Sequence, residues 1–151
     1  MDDYDSFRAR LERLEAETAL HRLVYDYAIG ADHRDLQRWR SVWTPDAVWQ
    51  MGDDRSMVGI EDICAAVQTQ WDTFPVMQHA TTNHTVEIDG EQAVGRCDVV
   101  IHVQLPDNRW INGGGTYQDS YRKHAGTWRI ARRVVVRPFD LAPLPPTTGP
   151  I

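Results

Sequence analysis

An aspartate and a histidine, Asp32 and His79, carry the chemistry this chain could perform. Asp32 stands in Tyr27-Ala28-Ile29-Gly30-Ala31-Asp32-His33-Arg34-Asp35, where a long amphipathic stretch gives out. His79 lies in Gln78-His79-Ala80-Thr81-Thr82-Asn83-His84, the start of a strand-like run. A carboxylate within reach of an imidazole is the minimum equipment for moving a proton near neutral pH, because the imidazole titrates there. Whether the two meet depends on the elements that carry them.

Helical spacing predicts a first helix from about Ser6 to Ala31, with Phe7, Leu11, Leu14, Thr18, Val24, Tyr27, Ala28 and Ala31 on its apolar stripe. Asp3, Asp5 or Ser6 can cap its start, and Gly30 with the polar run after it predicts its end. A short second helix, capped by Asp35, carries Leu36, Trp39, Val42 and Trp43; Thr44-Pro45-Asp46 then leads into a brief strand, Ala47 to Met51. A third helix runs from Gly59 to about Asp72. After Phe74-Pro75 the pattern is antiparallel sheet: Met77 to Ile88, a hairpin at Asp89-Gly90, Ala93 to Leu105, Arg109 to Lys123 and Thr127 to Arg137. Residues 1–137 thus form one domain, and 138–151 a proline-rich tail that is either a disordered end or a flap over a cavity mouth. Helices first and a long sheet afterwards indicate an α+β fold. Three helices against one face of a curved, antiparallel or mixed sheet make a cone-shaped barrel, and small-molecule pockets form in such concave spaces.

Strand alternation sorts the candidates by face. His79 falls with Thr81, Asn83, Thr85 and Glu87, a set that could be solvated, while His84 falls opposite with Val86 and Ile88. Arg132 and Arg133 point to opposite faces, and Arg133 is the preferred inward one. His102 alternates with Asp98 and Val100, against Val99, Ile101 and Val103, and alternation leaves open which set faces inward. Of six tryptophans, Trp49 and Trp110 are assigned to the wall of a pocket for a flat ring, and the others to the core. Each residue has a plainer alternative: Asp32 as a helix-terminating residue, although a carboxylate there opposes the macrodipole, and Tyr27 as a core aromatic.

Composition narrows the partners. The 151 residues carry 16 Lys+Arg against 22 Asp+Glu, a net charge of -6 with no basic block, which argues against nucleic acid and anionic membranes. The acidic N-terminus is unlike a signal peptide, and no apolar run is long enough to span a bilayer. Cys64 and Cys97 have no metal-ligand spacing and suit a reducing, cytoplasmic compartment. Gly113-Gly114-Gly115 sits within a strand pattern and precedes no helix, so it is no phosphate loop.

The element order, with Leu23-Val24-Tyr25-Asp26-Tyr27-Ala28-Ile29-Gly30-Ala31-Asp32, Trp43-Thr44-Pro45-Asp46-Ala47-Val48-Trp49 and Gly115-Thr116-Tyr117-Gln118-Asp119-Ser120-Tyr121, resembles the SnoaL-like branch of the nuclear transport factor 2-like superfamily. It is most similar to the group of scytalone dehydratase, hexachlorocyclohexane dehydrochlorinase and bile-acid dehydratase. That resemblance implies a cone-shaped fold and an Asp-His dyad at Asp32 and His79, with Tyr27 and Arg133 assisting the leaving group. Trp49, His102, Trp110, Asn112 and Tyr117 become the expected substrate contacts, although the register of His102 and Asn112 matches the group poorly. The three glycines replace bulkier residues and imply a roomier or more flexible wall. The implied activity is a lyase of dehydratase type acting on a hydrophobic cyclic, polyketide-like or steroid-like molecule, with neither metal nor organic cofactor. A polyketide cyclase, a ketosteroid-type isomerase or a non-catalytic assembly subunit on the same scaffold are the alternatives, since one fold hosts many functions. A homo-oligomer is expected, a trimer before a dimer.

Overall fold

The computed structural model describes residues 3–141, and its helices precede a long sheet as expected. Helices α1 (Asp3–Asp32) and α2 (Leu36–Ser41) lead into β1 (Trp43–Met51) and β2 (Arg55–Val58); α3 (Ile60–Thr73) follows, and then β3 (Val76–Asp89), β4 (Gln92–Gln104), β5 (Trp110–His124) and β6 (Thr127–Leu141). The six strands form one open, curved sheet in the order β2-β1-β6-β5-β4-β3, antiparallel throughout except for the parallel pair β1–β6. The helices pack on its concave face around Leu20, Val24, Trp39, Trp43, Ile63 and Ile130, all fully buried or within 1% of it. This is the expected cone.

Several elements differ from the reading of the sequence. Strand β1 begins at Trp43 rather than Ala47, and it is followed by β2, whose only sequence signal is the turn at Gly52, with φ of 68°. Strand β6 runs on to Leu141 instead of stopping at residue 137. The β5–β6 register shifts between Gly114 and Thr116, opposite the stretch that holds Pro138, and bulges are where strands admit proline. The tail beyond residue 141, and with it the expected flap, lies outside the described residues.

Helix α1 is about 45 Å long at 1.5 Å per residue. Only its second half lies against the sheet, burying Leu20, Leu23, Val24, Tyr27 and Ala31. Phe7, Leu11 and Leu14, expected on the buried stripe, are 64%, 46% and 60% exposed. Gly30 does not end the helix, which continues to Asp32. A Cβ at Gly30 would stand 2.9 Å from the backbone nitrogen of Trp39 and 3.0 Å from its Cα, so the glycine is there to let α2 cross closely. Gly30→Ala is accordingly expected to cost about 1–3 kcal/mol in a urea unfolding curve, because backbone must give way. The true stop is Arg34, left-handed at φ of 56°, with the Asp35 N–H bonded back to the Gly30 carbonyl at 3.0 Å. The Asp35 side chain then caps α2 through the Arg38 N–H at 3.0 Å.

Two β-bulges decide which side chains face inward. In β3 the register with β4 shifts between Thr82 and Thr85, with Asn83 at φ of 56°. The extra residue reverses the alternation, so His84, Val86 and Ile88 join His79 and Thr81 on the inner face. The expectation that His79 and His84 point opposite ways is therefore corrected. In β6 the register shifts at Ala131, between Ser120–Arg132 and Tyr121–Ile130, which brings Ile130 and Arg133 to the interior together and turns Arg132 outward to Gln50.

Candidate active site

The end of α1 and the start of β3 are tied together by groups outside the cavity. Arg34 Nη2 donates to the carbonyls of Trp71 and Phe74 at 2.8 and 3.2 Å, and Trp71 Nε1 donates to the carbonyl of Ala31 at 2.7 Å. These bonds clamp the last turn of α1 against the α3–β3 connection, and so place Asp32 beside His79. Asp32 Oδ1 lies 2.5 Å from His79 Nδ1, and Oδ2 accepts the backbone N–H of His79 at 2.7 Å. The two side chains are only 10% and 5% exposed. Because an ionised carboxylate only accepts, Nδ1 of a neutral His79 must carry the proton, which leaves Nε2 with the free lone pair.

His79 lines an apolar cavity of about 150 Å³ together with Tyr27, Trp49, Met77, Val99, Ile101 and Tyr117; Met51, Gln70, Phe74, Val103, Gly114 and Val135 complete it. The expected residues Tyr27, Trp49 and Tyr117 are thus brought together with His79, and Asp32 backs it. Burial raises the Tyr27 phenol, with the Arg133 charge opposing, and burial raises Tyr117 well above its usual range. Both phenols therefore remain donors at neutral pH.

Arg133 stands behind this wall. It is fully buried, its guanidinium 4.1 Å from the ring centroids of both Tyr27 and Tyr117, and it donates from Nε and Nη2 to the two oxygens of Asp119 at 2.8 and 2.7 Å. Asp119 escaped the sequence reading. Its signal was available: in Tyr117, Asp119, Tyr121 a carboxylate interrupts an alternating aromatic stripe, and a buried carboxylate needs a cation. Arg133 Nη1 and the Nε1 of Trp49, its cross-strand neighbour, are buried with no hydrogen-bond partner among the described residues.

Three expected contacts lie elsewhere. His102 is on the face of β4 opposite Val99, Ile101 and Val103, so strand parity carries it away from the cavity, where its Nδ1 meets Oδ1 of Asn112 on β5. Trp110, at the first position of β5, is 46% exposed. The roomier glycine wall is also corrected: a Cβ on Gly114 would lie 2.5 Å from Phe139 Cζ, so the Phe139 ring takes up the space.

A family model for the SnoaL-like domain matches residues 12–134. The chain belongs to the SnoaL-like family. An uncharacterized protein of Mycobacterium tuberculosis is 30% identical over 136 residues, which cover 85% of this chain and 87% of that protein. Among solved structures, this SnoaL-like chain superimposes on the hexachlorocyclohexane dehydrochlorinase LinA-type3 of Novosphingobium barchaimii with a TM-score of 0.78 at 26% identity, covering 91% of this chain and 99% of that one. A scytalone dehydratase-like protein of Novosphingobium aromaticivorans shares the fold at a TM-score of 0.77 and 17% identity, covering 92% and 97%. The structural neighbours of the domain thus include lyase-type enzymes. Among the described residues no helix is long and apolar enough to cross a membrane.

Proposed function

We propose that this SnoaL-like protein is a cofactor-independent lyase that eliminates water or halide from a small, apolar, cyclic molecule. The observation that carries the reading is the His79–Asp32 pair at the wall of an apolar cavity. In the proposed step, His79 Nε2 takes a proton from a substrate carbon. The C–H electron pair becomes the new double bond, and the leaving group departs from the adjacent carbon with its own bonding pair. Asp32 holds the Nδ1–H tautomer and stabilises the imidazolium as it forms. Tyr27 and Tyr117 are placed to donate to the departing oxygen or halide, and the Arg133 charge behind them favours the negative charge that builds there.

The alternative of an aspartate-driven isomerase is less well supported, because both oxygens of Asp32 are engaged by His79. The cavity volume refines the substrate class. About 150 Å³ is the size of a space that takes one benzene-like ring, which supports a single-ring substrate over a steroid-sized one. Hexachlorocyclohexane and monocyclic β-hydroxy ketones are the compounds to screen, followed by chloride release or by absorbance of the new conjugated bond. Turnover by the wild type should fall about 10²–10⁴-fold in His79→Ala. Undiminished turnover in that variant would reject His79 as the base.

A further inference from the structure

A second set of ionisable groups runs behind the cavity wall, from α1 through β3 and β5 to β6, and the elimination uses none of its outer members. His21 and His84 face each other Nδ1 to Nδ1 at 2.7 Å. His84 Nε2 lies 3.0 Å from Tyr121 Oη, and Tyr121 Oη lies 2.6 Å from Asp119 Oδ2. Asp119 in turn receives both Arg133 bonds. His21 and His84 are half-buried and the other three buried.

Chemistry dictates where the protons sit. Arg133 does not deprotonate, so Asp119 is an ionised, accept-only partner, and Tyr121 must donate to it. The Tyr121 oxygen can then only accept from His84, which places that proton on Nε2. A neutral imidazole protonated at Nε2 presents a lone pair at Nδ1, so His21 must donate from its own Nδ1. With His84 neutral, one arrangement satisfies every contact, with each donor pointing toward the Asp119 carboxylate. The surroundings of His84 agree. His21 on α1 and Tyr121 on β5 contact it, and Asp119 on β5 and Arg133 on β6 act on it by charge; burial, His21 and Arg133 disfavour its cation and hold it at about 4, against the pull of Asp119. The chain ends on a guanidinium that does not exchange its charge, so it is no conduit for protons. Its effect is geometric.

That geometry reaches the cavity at Arg133, whose guanidinium lies 4.1 Å over the ring of Tyr27 and 4.1 Å over that of Tyr117, in the corner the two rings make at 5.6 Å between centroids. The chain also gives α1 a second attachment to β3. His21 and Asp32 are about 16 Å apart along the helix, and their partners His84 and His79 lie on the same inner face of one strand. We propose that His84 and Tyr121 are positioning residues: with His21 and Asp119 they form a one-way hydrogen-bond chain that locks Arg133 against the rings of Tyr27 and Tyr117. Its consequence for turnover rests on the lyase reading; the chain itself does not.

The test is imidazole and guanidinium ¹⁵N spectroscopy, with ¹H–¹³C spectra of the tyrosine rings, on the full chain and on Tyr121→Phe, His84→Phe and His84→Gln. In the wild type, His84 should be a single neutral tautomer with the proton on Nε2, silent through its ordinary midpoint of 6.5 and titrating only at about 4. Both Phe variants should shift the Arg133 Nε–H and Tyr27 ring resonances, and His84→Gln, whose amide can still donate to Tyr121, should restore them. With hexachlorocyclohexane as probe, Tyr121→Phe should lower kcat about ten- to a hundredfold at unchanged KM, and His84→Gln should stay near wild type. A tautomer mixture, ordinary titration of His84, or unmoved Arg133 and Tyr27 signals in both Phe variants would overturn the proposal. Wild-type protein that turns over no monocyclic probe yet shows the full set of chain signals would sink the lyase reading while upholding the chain.

Discussion

Asp32→Asn is expected to lower kcat about ten-thousand-fold while the protein stays folded. The reason lies in the two bonds Asp32 makes to one residue. The backbone N–H of His79 is a fixed donor, so the single acceptor oxygen of an asparagine must turn toward it. The amide NH₂ then faces Nδ1, where the carboxylate had accepted a proton, and Nδ1 must become the lone-pair nitrogen. His79 flips to the Nε2–H tautomer, and the nitrogen at the cavity carries a proton instead of taking one. Imidazole ¹⁵N shifts report the tautomer directly, and a denaturant curve should show only the loss of one charge-assisted bond, about 1–3 kcal/mol. A variant that keeps the Nδ1–H tautomer, or keeps its rate with the flipped one, would exclude the assigned role of Asp32.

The second large effect concerns the buried Asp119–Arg133 pair, in which both side chains are 0% exposed. Asp119→Ala leaves a guanidinium buried with no counter-charge, and the expected cost is about 3–5 kcal/mol. Removing both charges together, as in Asp119→Leu with Arg133→Met, should recover most of that stability, because two desolvation penalties vanish with the pair. The double variant should nonetheless be inactive, since nothing then holds Tyr27 and Tyr117 or favours negative charge behind them. Thermal unfolding of the two variants, read beside their turnover of a monocyclic probe, separates the parts. A double variant as unstable as Asp119→Ala would contradict the account of the pair as an offset desolvation. A fully active one would remove Arg133 from the machinery.

Much of this protein is legible in its sequence where the cause is local. The helical stripe at Val24, Tyr27 and Ala31, the Asp35 cap, the Asp89-Gly90 hairpin and the long alternating strands follow from propensity, capping and turn chemistry within a few residues. Those features, with the motif resemblance, were sufficient for the cone fold and for singling out Asp32, His79, Tyr27, Trp49 and Tyr117. The misplaced residues share a different cause. His102 and Asn112 depended on which strand face is the inside, a property of the whole sheet; the buried role of Phe7, Leu11 and Leu14 depended on how far α1 overlaps that sheet. The closeness of Gly30 to Trp39, and the filling of the glycine gap by Phe139, depended on distant segments arriving at one place.

The bulges at Asn83 and Ala131 mark the boundary most clearly. One inserted residue reverses every later side chain in a strand, and no spacing rule in the sequence announces it. Sequence by itself determined which residues could do chemistry and which elements hold them, because those depend on near neighbours. Tertiary structure alone decided that His84 faces inward with His79, that Arg133 meets Asp119 against two tyrosines, and that Asp32 grips His79 by ring and backbone together. Those outcomes depend on register, sheet curvature and the packing of α1 across β3, which exist only once the chain has folded.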